Sequence, residues 1–348
     1  MKIQLGIIGF GGMGKWHAQN APRAGVEIAA VCDIDPEKQQ EAIQMGYPLY
    51  KTADELLEDS KVNTVILTVP NHLHKEMCVK AAEAGKNVIT EKPAALNVRE
   101  LDEMEAACKK AGVFFTSHQN RRWDKDMLTV KKAYDEGLLG KIFTIESKLH
   151  SGNGYMHEWH LYKKYGGGMI YDWGVHLIDQ ILFMMPDAKV KSIYADIKNV
   201  LHEEVDDYFK IILKMDNGIT AHIELSTYIL EYQPRWLAAG DKGTMIVRDF
   251  GCKGNIYRTG KMLEKLPSQI VETEAGPTRQ FAPVPPGGIV TEALPEIQTD
   301  WVDFYRNIDD VLNGCAESKI RISEVRRVLS LMEAAWKSSE TGEAVLFE

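Results

Sequence analysis

The first 120 residues alternate regularly between strand-like and helix-like periods, and this alternation leaves few folds open to the chain. "IQLGIIG" (3–9), "VEIAAVCD" (26–33), "VNTVILTVP" (62–70), "KNVITEKP" (86–93) and "GVFFTSHQ" (112–119) are short, apolar and β-branched, as buried strands are. Between them lie stretches of helix formers: 14–23, Pro36 to Met45, His74 to Ala84 and Val98 to Ala111. Pro36 suits a first helical turn, and Gly85 and Gly112 stand where helices stop. Strands separated by crossover helices must run parallel, so the expected architecture is a doubly wound sheet. At 348 residues a second domain is expected, with a division into 1–120 and 121–348.

Gly9-Phe10-Gly11-Gly12-Met13-Gly14 follows the first strand and opens the first helix as G-x-G-x-x-G. Glycines let backbone approach a pyrophosphate, and the helix N-terminus stabilises its charge. Asp33 ends the second strand nineteen residues after Gly14, the spacing of a carboxylate that holds adenosine ribose hydroxyls. Ile34, Asp35 and Pro36 follow with no arginine, so NAD is expected over NADP; Lys38 is the nearby cation that works against this. In such a sheet ligands gather at the carboxyl ends of strands. This brings in Thr68, Pro70, Asn71 and His74 after the fourth strand and Glu91 and Lys92 after the fifth. Lys92 there can polarise a hydroxyl or relay a proton.

Beyond residue 120 the pattern changes. "KIFTIESKLH", "VKSIYADIKNV", "DDYFKIILKMD", "GITAHIELSTY" and "RWLAAGDKGTMIVRD" read as successive strands, with "MDNG" (215–218) a tight hairpin between two of them. Lys253 to Leu294 is rich in Gly and Pro, with "APVPPGG" at its centre, and reads as an excursion over the sheet. Residues 297–313 and 322–338 return as helices, the second capped by Ser323.

"GGGMIYDWGVHLIDQILF" (166–183) begins as a loop and continues as an apolar helix, yet Asp172, His176 and Asp179 fall on one helical face. Ionisable groups in such a stripe are costly to bury unless they pair or do chemistry. Asp179 can either fix the His176 imidazole or serve structure alone.

Several function classes are disfavoured. A formal charge of −9 argues against nucleic-acid binding. The five cysteines are scattered without a C-x-x-C, as expected of reduced thiols. No apolar run approaches the roughly 20 residues of a membrane span, and the N-terminus shows no cleavable signal pattern, so a cytoplasmic protein is expected. "HEWH" (157–160) offers two imidazoles with no evident third ligand, so no metal is expected.

Taken in order, the glycine motif, "TVPNHLHKE" (68–76), "EKPAALN" (91–97) and "GGGMIYDWGVHLIDQ" (166–180) resemble the Gfo/Idh/MocA oxidoreductases over nearly the whole chain. The resemblance implies a Rossmann domain followed by an α/β domain with a large, mostly antiparallel open sheet. It also implies a nicotinamide cofactor and sugar or polyol substrates, with the catalytic lysine at Lys92 and the D-x-x-x-H pair at Asp172 and His176. "HQNRRWDKD" (118–126) is similar to the segment that leaves the first domain near the nicotinamide, which adds Asn120 and Arg122. Where family members often carry an arginine after a tryptophan, this chain has His160 after Trp159; with Tyr232 and Arg235 these are further candidate substrate contacts. The expected activity is hydride transfer between a secondary alcohol and NAD, with His176 as base. Redox-neutral glycoside cleavage through transient oxidation and a non-catalytic dinucleotide sensor are the alternatives. A homodimer or tetramer through the large sheet is expected.

Overall fold

The computed structural model describes residues 2–261, 270–279, 284 and 286–347. The first domain is a six-stranded sheet in the order β3-β2-β1-β4-β5-β6, in which every pairing is parallel. Its strands are β1 (Gln4–Ile8), β2 (Glu27–Cys32), β3 (Leu49–Tyr50), β4 (Thr64–Leu67), β5 (Asn87–Thr90) and β6 (Phe115–Ser117). The order reverses between β1 and β4, which opens a crevice at their carboxyl ends. Helix α1 (Gly12–Asn20) starts there, directly after the glycine turn, and α2 (Pro36–Gln44), α3 (Ala53–Glu58), α4 (His74–Glu83) and α5 (Val98–Ala111) follow it in this domain. Burial of β4 on both faces explains its unbroken run of apolar and β-branched residues.

The second sheet has nine strands in the order β16-β13-β12-β11-β7-β10-β9-β8-β17, where β8 is Val190–Lys198 and β17 is Val345–Leu346, while β14 (Ile270–Thr273) and β15 (Gly276–Arg279) pair only with each other. Here β7 (Ile142–His150) pairs parallel with β10 (Thr220–Ser226), and the remaining described pairings are antiparallel. The β9 (Tyr208–Met215) to β10 hairpin turns at Gly218, whose φ of 88° suits glycine. "RWLAAGDKGTMIVRD" is not one strand. Asp241 and Lys242 fold it into a hairpin of β11 (Trp236–Gly240) and β12 (Gly243–Val247). Within Lys253 to Leu294, β13 (Gly254–Thr259) and β16 (Ile289–Glu292) pair at the sheet edge; part of "APVPPGG" lies outside the described residues.

Helices α6 (Lys125–Asp135), α7 (Val175–Met184) and Ile322–Thr341 cover one face of this sheet. Residues such as Phe143 and Tyr194 are exposed on the strands. The helix predicted from 297 begins at Asp303. The last helix is capped not by Ser323 but by Glu324, whose carboxylate accepts the backbone N–H of Arg321. No helix among the described residues is long and apolar enough to cross a membrane, and the five cysteines are free thiols.

Candidate active site between the two sheets

The glycine motif divides into two jobs. A Cβ on Gly9 would lie 2.6 Å from the Thr68 carbonyl oxygen, and one on Gly14 would lie 2.1 Å from that of Gly9. These two glycines therefore permit close packing of strand, turn and helix. Gly11 and Gly12 face open space, and their Cβ positions meet nothing within 4 Å. They line a cleft of about 490 Å³ together with Met13, Thr68, Asn71, Glu91 and Lys92. Helix α1 has no side-chain cap and no acid in its first turn, so its terminal N–H groups are available to an anion. A dinucleotide pyrophosphate fits this arrangement. Asp33 Oδ2 accepts the Phe10 N–H at 2.6 Å and Oδ1 accepts the Asp35 N–H at 2.8 Å, which fixes the carboxylate beside the turn. Lys38 is engaged by Glu41 at 3.0 Å.

At the other end of the cleft, Lys92 Nζ lies 2.6 Å from Asp172 Oδ1 and donates to the Asp172 carbonyl at 2.9 Å. The Lys92–Pro93 peptide is cis. Burial pushes the Asp172 carboxyl up, but the Lys92 ammonium, aided by His160, outweighs it and holds the group below its ordinary value. His160 Nε2 stands 3.8 Å from the same carboxylate oxygen, and its ring stacks on Trp159 at 3.8 Å. The triple glycine that positions this segment is a packing requirement. Cβ atoms there would meet Leu96 Cδ2 at 2.5 Å (Gly166), the His160 carbonyl oxygen at 2.2 Å (Gly167) and Asp206 Oδ1 at 2.1 Å (Gly168). Asp206 in turn accepts the Ile170 N–H at 2.7 Å and so anchors the helix start.

Residues Ile170–Gly174 make a π-helical turn before α7, and the three groups of the predicted stripe have different surroundings. Asp172 reaches Lys92. His176 is 3% exposed, with Nδ1 unpartnered and its ring edge-on to Trp173 at 5.8 Å. Burial, reinforced by the Lys92 and Arg121 cations, holds this imidazole well below its ordinary value and therefore neutral. Asp179 takes a two-point contact from Arg122, with Nε at 2.8 Å and Nη2 at 2.6 Å.

That contact corrects the placement of Arg122. It is 3% exposed and also bonds Glu324 and the Lys319 carbonyl, so it ties helices together and lies outside the cleft lining. His74 is fully buried, with its ring nitrogens 2.8 Å from the Pro93 oxygen and 3.0 Å from that of Val69. It joins two loops under the cleft rather than lining it. Phe10 is a core side chain whose ring meets Tyr47. Arg235 is buried against Asp126 and Ser147. Asn120, 9% exposed, and Tyr232, 62% exposed, lie outside the cleft lining, as do Ile34 and Pro70. Asn71 lines the cleft and donates to the Gly166 carbonyl at 2.8 Å.

Sequence reasoning missed Tyr155 and the cleft role of His157, which line the space facing Lys92. "HEWH" held that signal, but His157 within it was weighed only for metal ligation. It also missed a buried network behind Glu91. Glu91 Oε1 accepts from His17 Nε2 at 2.8 Å and His118 Nδ1 at 2.9 Å, while Oε2 accepts the Lys92 N–H at 3.1 Å. The Tyr305 hydroxyl completes it, 2.6 Å from His17 Nδ1. The Glu91 side chain is thus committed to the protein.

Two family models match the chain: an oxidoreductase family model with an NAD-binding Rossmann fold over residues 3–119, and a GFO/IDH/MocA C-terminal domain over 127–246. A solved NAD-binding protein from Listeria innocua superposes with a TM-score of 0.92 at 37% identity, covering 99% of each chain. A scyllo-inositol 2-dehydrogenase (NADP(+)) of Bacillus subtilis is 27% identical over 99% of this chain and 96% of its own. A 2,7-anhydro-N-acetylneuraminate hydratase of Mediterraneibacter gnavus is also 27% identical, over 92% of this chain and 87% of its own. With both of its domains matched in order, this chain is an NAD-binding oxidoreductase that belongs to the GFO/IDH/MocA family.

Proposed function

We propose that the protein is a dehydrogenase acting on a secondary alcohol of a sugar or cyclic polyol. The observation that carries this reading is the Lys92–Asp172 contact of 2.6 Å at the meeting point of the glycine cleft and a second cavity. When bound, NAD accepts or returns the hydride. Lys92 hydrogen-bonds the alcohol oxygen and favours its developing negative charge, while Asp172 holds the ammonium and meets a neighbouring hydroxyl. His176, kept neutral, takes the alcohol proton. His160 forms the wall opposite.

The two carboxylates at positions 33 and 35 favour NAD over NADP, since a 2′-phosphate would meet like charge there. The NADP-dependent inositol dehydrogenase relative makes this a matter for titration. The hydratase relative supports a second reading, in which the substrate is oxidised and reduced again within one cycle. A screen of inositols, hexoses and glycosides, run with NAD and NADP side by side, separates the readings. Net absorbance at 340 nm with NAD is the expected result, and product formation without it favours the redox-neutral cycle. No product from any member overturns both.

The partly exposed strand face, with Phe143 56% and Tyr194 43% exposed, supports a homodimer or tetramer through the large sheet. Light scattering is expected to give a multiple of 39.2 kDa; a 39.2 kDa particle at micromolar concentration rejects the assembly.

A further inference from the structure

The loop of residues 199–207 follows β8 and lines neither cavity, yet it ends in two buried acids, Asp206 and Asp207. Buried carboxyl groups stay where they find donors, and these two find theirs in different places. Asp207 turns back on its own loop, with its oxygens accepting the N–H groups of Val200 at 2.6 Å, Leu201 at 2.7 Å and His202 at 3.1 Å. From that closed loop His202 Nε2 donates to the Gly154 carbonyl at 3.0 Å, beside Tyr155 in the cavity wall. Asp206 reaches the other way, to the segment that carries Asp172.

There Asp206 holds two consecutive N–H groups. Its backbone carbonyl accepts from Met169 at 3.0 Å and its Oδ2 accepts from Ile170 at 2.7 Å. N–H groups at a helix start have no acceptor within the helix, and no side chain of this segment caps them. The carboxyl is fixed in place by Gly168, whose missing Cβ leaves the space that Oδ1 fills. Ile170 is the pivot of the π turn, because its carbonyl accepts the Val175 N–H five residues on. Two residues after that pivot, the Asp172 carbonyl and carboxylate both take Lys92 Nζ, at 2.9 and 2.6 Å. One of these contacts is main chain, so a shift of the turn displaces the ammonium however the Asp172 side chain adjusts. The Tyr171 hydroxyl ties the same turn to the first domain, donating to the Leu96 carbonyl at 3.1 Å. Burial, with the Asp207 charge adding to it, pushes the Asp206 carboxyl up to about 7 against the pull of these N–H groups. What this position asks of the side chain is thus an acceptor oxygen more than a charge.

We propose that Asp206 is a positioning residue for the reaction: by holding Met169 and Ile170 it sets the π turn, and through the Asp172 main chain it sets where Lys92 Nζ meets the alcohol oxygen. The inference rests on the dehydrogenase reading for the task of Lys92, and it adds a determinant that never touches substrate.

The test uses the full chain and reads Lys92 with and without turnover. Trace acetic anhydride labels free amines, and mass spectrometry compares acetylation of Lys92 with that of the exposed Lys61. In Asp206→Ala the relative labelling of Lys92 is expected to rise about fivefold, the factor that one hydrogen bond carries. Turnover with NAD is expected to fall about 10- to 100-fold in kcat, the scale of a misplaced reacting group, with KM moved less and NADH affinity by fluorescence titration unchanged. Asp206→Asn keeps an acceptor oxygen at the same reach and is expected to restore both readings to within about twofold, as asparagine and aspartate serve helix starts equally well. Should Asp206→Ala not fold, Asp206→Thr takes its place with the same expectations, since it keeps most of the volume and withdraws the oxygen. A residue that merely supports the fold would lower the melting temperature and move neither reading. Unaltered labelling in a folded Ala or Thr variant, raised labelling with unchanged kcat, or an Asn variant as impaired as these overturns the assignment. Raised labelling that Asn restores, in a protein that forms no NADH from any compound of the screen, supports the positioning of Lys92 and overturns the dehydrogenase reading alone.

Discussion

Glu91 and Lys92 are adjacent in sequence but belong to polar clusters of opposite kind. Behind the strand, Glu91 sits in a closed set with His17, His118 and Tyr305, all 5% exposed or less and paired at every ring nitrogen except His118 Nε2. In front of it, Lys92 and Asp172 remain 19% and 14% exposed at the cleft, and the nearby His176 keeps an unpartnered Nδ1. Both clusters combine acid with imidazole, so residue type does not separate them. Access does. A network whose members face one another in the interior holds the fold, whereas polar groups open to a cavity are what a substrate can use. The two meet at the Lys92 backbone N–H, which donates to Glu91 and so fixes the base of the Lys92 side chain.

The most damaging way to break the comparison is on the closed side. Glu91 carries its charge in a site where burial alone would raise its pKa, and the two histidines hold the group well below its ordinary value. Glu91→Ala removes the acceptor for both rings and is expected to cost about 3–5 kcal/mol of stability, the range for opening a buried pair. Chemical denaturation of the purified variant measures it. A loss under about 1 kcal/mol would show the network to be dispensable and erase the distinction drawn from access.

On the open side the effect should appear in turnover instead. His176→Asn is expected to lower kcat by about 10²-fold, the low end for a lost acid–base group, with NAD affinity and melting temperature nearly unchanged. The control is His160→Asn. His160 lines the cleft and stacks on Trp159, so its replacement is expected to act mainly on KM. If the 10²-fold loss followed His160→Asn and not His176→Asn, the base would be the imidazole in the wall.

How far the sequence revealed this arrangement depends on the range of the interaction. The parallel sheet, the glycine turn and Asp33 could be read because each is written in contiguous residues with a fixed spacing. The convergence of Lys92 with Asp172 came from family resemblance, since nothing local links residues 80 positions apart. The Arg122–Asp179 contact and the Glu91 network were missed for the same reason: their partners lie 27 to 288 residues apart, and a buried charge looks like an exposed one until its partners are known. The spacing of Asp172, His176 and Asp179 is legible, but the π-helical turn at Ile170–Gly174 and the separate partners Lys92 and Arg122 have no local signature.

The smallest expected effect sharpens the comparison most, because it removes one atom. With Glu91 ionised, His17 Nε2 must donate to it, which leaves His17 Nδ1 as an acceptor for the Tyr305 hydroxyl. The His17 pKa, lowered to about 4 mainly by burial and then by His118, agrees with a neutral ring. Tyr305→Phe keeps the aromatic packing on Phe304 and His17 but leaves Nδ1 without a donor in a dry site. The expected cost is about 1–2 kcal/mol in denaturant unfolding, from a single unsatisfied buried acceptor. Turnover at saturating substrate should stay within about twofold, since no atom in the cleft changes its partner. A variant of normal stability with impaired turnover would mean that the hydroxyl acts through Glu91 on Lys92 during the reaction, and the closed cluster would then belong to the catalytic apparatus rather than to its foundation.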